Sequence, residues 1–508
     1  MTNPSDTRRN RDLCVLSLCF ALFALVFHLG SAAKGFSFYR DQHLGTALIY
    51  AKDGVDFLKP VIVGFNATGT PTPQEPPIWQ ALAGLAMKFF GPWWGWANVV
   101  SLLAFATGLW PLFQIARAHL GERVAWWSLI CFLAQPLMIV CSGWAATDGM
   151  CVANFLWFMY FADRMLRSGS WRWFVPSALS GALLALMKLP YFMSAGIALG
   201  LLLLLQYPRE KTRWIQLIGV ALLAGIAFAF WTRYTDACAA IAVYPHVELR
   251  VSKSEGMRNF YFGTWDYRLD PKNWVKGGWT ALNVLWGSFA LAAAAIWSLL
   301  FVRNPIARCW LVGALVTTLV FTKLVLIHRH YYALYAPAAA LITGAAIASL
   351  ENRLSLANSI KKHLFVALSG IGLFIATIQG LIGMEVVLNF DPYMKQAAAE
   401  IRKHVSAEDK ILVLGGGWGG DALIHASRQG LSLKSLDILK SPEDIARLQS
   451  LGFNKLVVMS ESPLLWALKV TNPGSATLQR STWNDNLDSI PADWPTIFES
   501  PDLLIKSF

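Results

Sequence analysis

The chain has few charged side chains. Asp, Glu, Lys and Arg make up 15% of its 508 residues, whereas hydrophobic residues make up 55%. A water-soluble protein of this length needs far more polar surface, so the composition excludes an ordinary soluble enzyme. Apolar runs of about 20 residues, long enough to cross the hydrocarbon core of a bilayer, recur along the sequence. Examples are residues 13–33, 214–231, 279–302 and 364–381. The sequence predicts a polytopic α-helical membrane protein.

The seven cysteines form no pattern that is typical of a metal or redox site. None belongs to a Cys-x-x-Cys pair or to a set spaced with histidines, and most lie within or beside apolar runs. We therefore interpret them as small buried hydrophobic residues. The sequence also shows no basic-aromatic motif for binding nucleic acid and no internal repeat of the kind that transporters carry. The net charge of +12 needs another explanation.

Membrane topology explains the basic residues. The first apolar run has no convincing cleavage site, so we interpret it as a retained helix with the N-terminus in the cytoplasm. About 11 spans then alternate, with the loops 34–96 and 232–277 outside. The short inside segments carry far more Lys and Arg than Asp and Glu, which is the positive-inside pattern. These segments are residues 1–12, 114–123, 163–173, 207–213, 303–308 and 351–363.

Two domains are predicted: a transmembrane domain over residues 1–383 and a small exported α/β domain over residues 384–508. Within the first outer loop, residues 78–90 are apolar on one face but short, so we expect a helix that lies in the membrane interface. In the tail, strands at DKILVLGGG and NKLVVMS alternate with helices, one of them predicted over residues 421–430. Residues 415–420 match a dinucleotide-binding glycine pattern, but such turns are common in α/β domains and the outside lacks a nucleotide pool.

Three acidic residues lie at the predicted outer membrane surface. Asp41 follows the first helix, Glu75 lies near the end of the first loop and Asp148 lies in a very short turn between two spans. Asp41 could act as a general base tuned by Arg40 and His43, or it could be a solvated carboxylate that caps an interfacial helix. Asp148 could have a functional role, because it costs free energy to hold a carboxylate near the hydrocarbon. Alternatively, it could be the N-cap of the following helix.

Two cations share that surface. Lys188 interrupts an apolar run, and Arg329 opens the helix that begins at Tyr331. They could form a phosphate clamp, or they could contact lipid headgroups without specificity. Carboxylates combined with cations suit transfer from a phosphate-activated donor, because the base takes a proton while the cations hold the leaving phosphate. The weak candidates for ligands of a divalent metal are Glu75, His328 and His330.

Five motifs, taken in order, resemble the GT-C membrane glycosyltransferases of the protein O-mannosyltransferase and lipid A aminoarabinose transferase type, a group like glycosyltransferase family 39. They are an acid directly after the first helix, Glu-Pro-Pro at 75–77, Arg-x-x-Leu-Gly-Glu-Arg at 117–123, Thr-Asp-Gly at 147–149, and the run His-Arg-His-Tyr-Tyr-Ala-Leu-Tyr-Ala-Pro at 328–337. The resemblance covers residues 10–350.

The resemblance implies a GT-C-like bundle that passes a sugar from a polyprenyl-phosphate carrier to a lipid, glycan or protein acceptor. The transfer would take place at the outer face of the cytoplasmic membrane. Asp41 matches the catalytic acid of the first loop, and Glu75 and Asp148 match two further acids. Pro76 stands where relatives often carry Lys, so Lys188 or Arg329 would have to supply that phosphate contact. The side chains expected to bind substrate are Arg40, His43, Lys188, Arg329, His330 and Tyr331.

With Asp41 as the base, displacement from the side opposite the carrier phosphate inverts the anomeric centre. No cofactor is certain, and a divalent metal is left open; membrane lipids are expected partners and nucleic acid is not. Two other functions remain open. A transporter or flippase of a lipid-linked glycan would favour charge at mid-membrane, whereas these acids lie at the edges. A non-catalytic assembly partner would use its tail to bind another exported protein.

Overall fold

A computed structural model describes residues 20, 37–64, 71–240, 255–302, 304–355, 359–384, 392–414, 421–433, 439, 441–459, 490, 493–500 and 503–508. The chain forms two compact units. We call the first the membrane unit; it comprises residues 1–29, 98–233 and 250–385. We call the second the loop–sheet unit; it comprises residues 30–97, 234–249 and 386–508. The predicted division at residue 383 stays a prediction.

The membrane unit is built almost wholly from helices. Its α-helices are Gly95–Thr107, Leu109–Leu120, Glu122–Leu133, Pro136–Gly143, Asp148–Ser168, Phe174–Met187, Leu189–Gln206, Lys211–Ala240, Glu255–Phe262, Trp265–Leu269, Pro271–Ala281, Phe289–Phe301, Pro305–Val320, Thr322–Ile327, Ala336–Ser355 and Ser359–Gly383. Short 3₁₀ turns cover Trp171–Trp173 and Arg329–Leu334, and a π-helical turn covers Leu282–Trp286.

Within the described residues, four helices are long and apolar enough to cross a membrane, and two bent pairs bring the number to six at most. The four are Gly95–Leu120, Leu189–Gln206, Lys211–Ala240 and Ile360–Gly383. Length and composition therefore confirm a helical protein with several membrane-spanning segments, while the count of about 11 stays a prediction. Several apolar runs divide into shorter helices.

The run 279–302 shows how such a division arises. Its two arms, Pro271–Trp286 and Phe289–Phe301, are bent by 96° at Gly287. Gly287 has a φ of 62°, which favours glycine, and a Cβ there would overlap the carbonyl oxygen of Ala376. A single straight span over this run is thus excluded by both the backbone and its neighbour.

Small residues bring the helices of the membrane unit close together. A Cβ on Gly344, in helix Ala336–Ser355, would lie 2.5 Å from the backbone nitrogen of Ser128 on a neighbouring helix. Gly313 approaches the carbonyl of Ser194 in the same way, across helices Pro305–Val320 and Leu189–Gln206. Close backbone approach of this kind is typical of helix packing in membranes, where dispersion replaces the hydrophobic effect between helices.

The loop–sheet unit contains a five-stranded sheet. The strands are β1 Lys410–Leu414, β2 Gln429–Leu433, β3 Phe453–Met459, β4 Thr496–Ser500 and β5 Leu503–Ser507, in the order β2-β1-β3-β5-β4. β1 pairs with β2 and β3 in parallel, and β5 pairs with β3 and β4 in antiparallel fashion. The helices of the unit are Ser37–Asp53, Ile78–Phe90, Pro392–His404, Asp421–Ala426 and Pro442–Ser450.

A small C-terminal α/β domain is therefore confirmed, with one local correction. The predicted helix 421–430 ends at Ala426, and its last two residues begin β2 instead. Ser427 takes a positive φ of 55° just after the helix, which stops the helical path. The glycine pattern at 415–420 lies outside the described residues.

Residues of the predicted loop 34–96 belong to the core of the loop–sheet unit. Val63 is buried in the same apolar cluster as Ile424 and the inner strands, and Leu48 and Trp94 pack against that cluster. A Cβ on Gly45 would lie 3.0 Å from the Cδ1 atom of Ile424. Helix Ser37–Asp53 thus packs directly on the helix that follows β1.

Candidate functional site

Asp148 and Lys188 form a buried ion pair in the membrane unit. The Nζ atom of Lys188 donates a hydrogen bond of 2.6 Å to Oδ1 of Asp148. The side chains are 4% and 0% exposed, respectively. Two such charges tolerate this environment only when each offsets the other. Residues 40 positions apart in the sequence therefore meet at one point.

Breaks between helices place both side chains. Asp148 is the first residue of helix Asp148–Ser168, where a carboxylate is favoured by the helix dipole. The next residue, Gly149, allows the turn to pack closely, because a Cβ there would lie 2.9 Å from the carbonyl oxygen of Cys141. Lys188 takes an extended conformation between helices Phe174–Met187 and Leu189–Gln206. The alternative prediction that Asp148 is the N-cap is wrong, because Thr147 occupies that position.

Aromatic side chains lie next to this ion pair. The Nζ atom of Lys188 lies 5.0 Å from the ring centre of Tyr331, within the range of a cation–π contact. The hydroxyl of Tyr191 donates to the backbone carbonyl of His330 at 3.3 Å, and the His330 ring lies 6.0 Å from Trp144. One cluster thus contains four predicted residues from three segments of the chain, namely Asp148, Lys188, His330 and Tyr331. It also contains Trp144 and Tyr191, which the sequence did not indicate.

Arg329 and His328 lie on the same turn but make other contacts. An Nη1 atom of Arg329 donates to the carbonyl of Gly383 at 3.5 Å, and burial lowers the pKa of the guanidinium, which stays charged at neutral pH. His328 donates from Nδ1 to the carbonyl of Leu324 at 3.0 Å. Burial lowers the pKa of His328 to about 4, so its ring is neutral. Lys188 is held by Asp148, whereas Arg329 is held by the carbonyl of Gly383.

A second group of polar side chains lies in the loop–sheet unit. Nδ1 of His43 lies 3.4 Å from Oε1 of Glu75 and 2.8 Å from the amide nitrogen of Gln80. His43 is 2% exposed, and its ring meets Trp79 edge-on at 6.1 Å. Gln80 and Trp79 were missed by the sequence analysis. A signal was present, because a glutamine on the apolar face of the 78–90 segment is unusual for an interfacial helix.

Asp41 and Arg40 lie on helix Ser37–Asp53, the helix that also carries His43. Asp41 is in the second turn of this helix and so does not cap it. The side chains of residues 37–41 are not among those that the structure describes, so the roles of Arg40 and Asp41 stay predictions.

A metal site was left open by the sequence. The rings of His328 and His330 lie 5.5 Å apart, and Glu75 contacts His43 in the loop–sheet unit. Among the residues that the structure describes, no group of three or more His, Cys, Asp or Glu side chains could hold a metal ion. We therefore derive no step through a metal.

Comparison with known proteins places this architecture. Residues 74–232 match the sequence model of the family described as dolichyl-phosphate-mannose-protein mannosyltransferase, a segment that includes Glu75, Asp148 and Lys188. A sequence search of curated proteins finds no match. The structure is similar to that of ArnT from Cupriavidus metallidurans bound to undecaprenyl phosphate, with a TM-score of 0.65 and 12% identity over 97% of both chains.

The apo state of the same ArnT gives a TM-score of 0.58 at 14% identity, covering 99% of this chain and 98% of that one. An Archaeoglobus fulgidus oligosaccharyltransferase tethered with an acceptor peptide gives 0.51 at 11% identity, covering 91% and 72%. This chain shares the fold of those proteins, which are GT-C glycosyltransferases. The resemblance indicated by the five motifs is confirmed at this level.

The candidate residues form two groups with different chemistry. In the membrane unit, a buried ammonium is held by a carboxylate and faces an aromatic ring, so the ion pair fixes the positions of both charged groups. In the loop–sheet unit, the amide nitrogen of Gln80 donates to Nδ1 of the His43 imidazole, and the Glu75 carboxylate lies 3.4 Å from the same nitrogen. The roles assigned to single residues stay predictions.

Proposed function

We propose that this protein is a membrane glycosyltransferase that moves a sugar from a polyprenyl-phosphate carrier to an acceptor. The main support is the likeness, over 97% of both chains, to an ArnT structure that contains undecaprenyl phosphate. The match of residues 74–232 to a mannosyltransferase family whose described donor is dolichyl phosphate mannose supports the same class of donor. The acceptor would be a lipid, a glycan or a protein.

Lys188 and Arg329 are proposed to bind the phosphate of the carrier. The ammonium of Lys188 donates to Asp148 and lies over the ring of Tyr331, so the charge is held at a defined point. Asp148 would act as a positioning residue, because its carboxylate fixes the ammonium at 2.6 Å. Charge-assisted hydrogen bonds to phosphate are strong where water is scarce, which suits a side chain that is only 4% exposed.

Asp41 is proposed as the general base. Its carboxylate would take the proton of the acceptor hydroxyl while the acceptor oxygen bonds to the anomeric carbon. The bond between that carbon and the carrier phosphate oxygen would break at the same time, and the phosphate would leave with the electron pair. The attack comes from the side opposite the phosphate, so the anomeric configuration is inverted.

The location is part of the proposal. The basic short segments support a cytoplasmic N-terminus and a C-terminal domain on the outer, periplasmic side of the cytoplasmic membrane. Reporter fusions after residues 120, 210 and 355 should read cytoplasmic, and one after residue 400 should read exported. A cytoplasmic signal at 400 would overturn this orientation.

The test begins with mass analysis of glycans, lipids and exported proteins from a strain that lacks the chain, which identifies the acceptor. Asp41→Asn should then insert and bind the donor yet lose about two to four orders of magnitude in transfer, the range expected for a positioned base. Asp53→Asn is the matched control, because Asp53 is exposed on the same helix. Near-normal transfer by Asp41→Asn would refute the role of the base. A flippase would instead show altered carrier distribution without loss of a modified acceptor.

A further inference from the structure

The segment from residue 255 to residue 286 is firmly attached to the membrane unit on one side. Arg268 donates from Nε to the carbonyl of Phe262 at 2.8 Å and from Nη2 to the carbonyl of Val320 at 3.1 Å. In helix Pro271–Ala281, Gly277 is buried, and a Cβ there would lie 2.5 Å from a methyl group of Leu326. The orientation of this segment is therefore set by the hydrogen bond from the Arg268 side chain to the Val320 carbonyl and by close packing at Gly277.

The other side of the segment exposes large apolar side chains. Trp265 and Leu269 are each 73% exposed and lie four residues apart, on one face of helix Trp265–Leu269. Val275 is 72% exposed and Trp279 is 58% exposed. We call this set of exposed side chains the Trp–Lys face; its members are Trp265, Leu269, Lys272, Val275, Lys276 and Trp279.

Two lysines share the face with these apolar groups. Lys272 and Lys276 are exposed, and with Val275 and Trp279 they occupy positions i, i+4, i+3 and i+7 of helix Pro271–Ala281. Residues at this spacing lie on a single side of a helix. A mixture of tryptophan, aliphatic residues and lysine on one face is typical of helices that lie in the interface of a bilayer.

The backbone gives an independent indication of how the segment meets the membrane. Helix Phe289–Phe301 contains no charged residue, whereas Pro271–Trp286 carries both lysines. The two arms are bent by 96°. Because the uncharged arm is the one suited to the hydrocarbon core, a bend close to a right angle lays the other arm nearly parallel to the membrane surface.

We propose that the Trp–Lys face is a membrane-surface anchor whose partner is the phospholipid bilayer itself. Its tryptophans and aliphatic side chains enter the boundary between headgroups and acyl chains. Lys272 and Lys276 contact the phosphates of the headgroups, and they favour anionic lipids. This role is independent of the proposed transfer reaction, since it requires neither donor nor acceptor.

The test uses the full chain in phosphatidylcholine vesicles that contain lipids with a nitroxide on the acyl chain. A Val275→Cys variant carries a polarity-sensitive fluorophore, and a Glu408→Cys variant, exposed in the loop–sheet unit, carries the same label as the matched control. The unsubstituted chain, labelled in parallel, gives the background from native cysteines. We expect nitroxide quenching at position 275 to exceed that at 408 by at least about twofold. Equal quenching by nitroxide lipid, together with strong quenching by aqueous iodide at 275, would overturn the proposal.

The lysines are tested by adding Lys272→Gln and Lys276→Gln to the labelled Val275→Cys variant. In vesicles that contain phosphatidylglycerol, nitroxide quenching should rise for the parent and return to the phosphatidylcholine level for the lysine variant. Raising the salt concentration should reproduce the effect of the substitutions, because it screens the same attraction. If adding phosphatidylglycerol changes the quenching neither in the labelled parent nor in the lysine variant, the contact with headgroup phosphates is refuted.

Discussion

Replacing Lys188 with Met should destabilise the membrane unit strongly. The two charges lie 2.6 Å apart, so their attraction is about 6 kcal/mol at an effective dielectric constant of about 20. Much of this offsets the cost of removing both ions from water. In the variant, Asp148 keeps that cost without the attraction, and its Oδ2 atom has no hydrogen-bond partner among the described residues. Loss of one partner of such a pair costs about 3–5 kcal/mol.

Two comparisons isolate the pair. A double variant, Asp148→Asn with Lys188→Met, removes both charges and should recover most of the lost stability, because no buried charge is left over. Lys403→Met is the matched control: Lys403 is 68% exposed, and its Nζ atom lies 4.0 Å from Glu400. Surface pairs of this kind contribute at most about 1 kcal/mol, so this variant should unfold almost as the parent does.

The assay is unfolding of the purified chain in detergent, followed by tryptophan fluorescence. The free-energy changes of the two single variants and of the double variant give the coupling between positions 148 and 188. A coupling near zero, or a Lys188→Met variant that unfolds with the Lys403→Met control, would refute the buried ion pair. Lys188 would then lack the partner that is proposed to position it for phosphate.

Three further predictions concern other parts of the chain. Gly287→Ala should lower the unfolding temperature clearly, because the residue needs a positive φ and has no room for a Cβ; normal unfolding would contradict the tight turn. In the folded chain the pKa of His328 is lowered from 6.5 to about 4, so the unfolded chain takes up this proton at a higher pH. The free energy of unfolding should therefore fall as the pH drops from about 6.5 to about 4, and it should fall less steeply in His328→Gln. Ile424→Ala should increase hydrogen exchange in helix Ser37–Asp53 more than Leu448→Ala does, because Ile424 contacts that helix; equal increases would contradict the packing.

The sequence predicted the general architecture because hydrophobic length and charge are strong local signals. Membrane helices, the α/β tail and the ordered motifs all follow from residues that are close in the sequence. Breaks within apolar runs were harder to predict. At the 96° bend, Gly287 lies against the carbonyl of Ala376, which is far away along the chain, so no local pattern reveals this contact.

The candidate residues show the same limit. Lys188 was identified as an outer cation and Asp148 as an outer acid, but their pairing depends on how four helices meet. The contact of Gln80 with His43 was missed for a related reason, because it joins two helices of the loop–sheet unit across 37 residues. Composition indicates which side chains are costly to bury, and only tertiary structure shows which partner offsets that cost.

The contacts of two of the three acids bear on their chemical roles. Asp148 holds Lys188 at 2.6 Å, and Glu75 lies 3.4 Å from His43 with its side chain only 13% exposed. A carboxylate that takes a proton loses its negative charge, so Asp148 would weaken its contact with Lys188 if it served as the base. An acid in such a contact is better suited to holding a cation in place. The ion pair therefore favours the proposed positioning role of Asp148, and the proposed base remains Asp41.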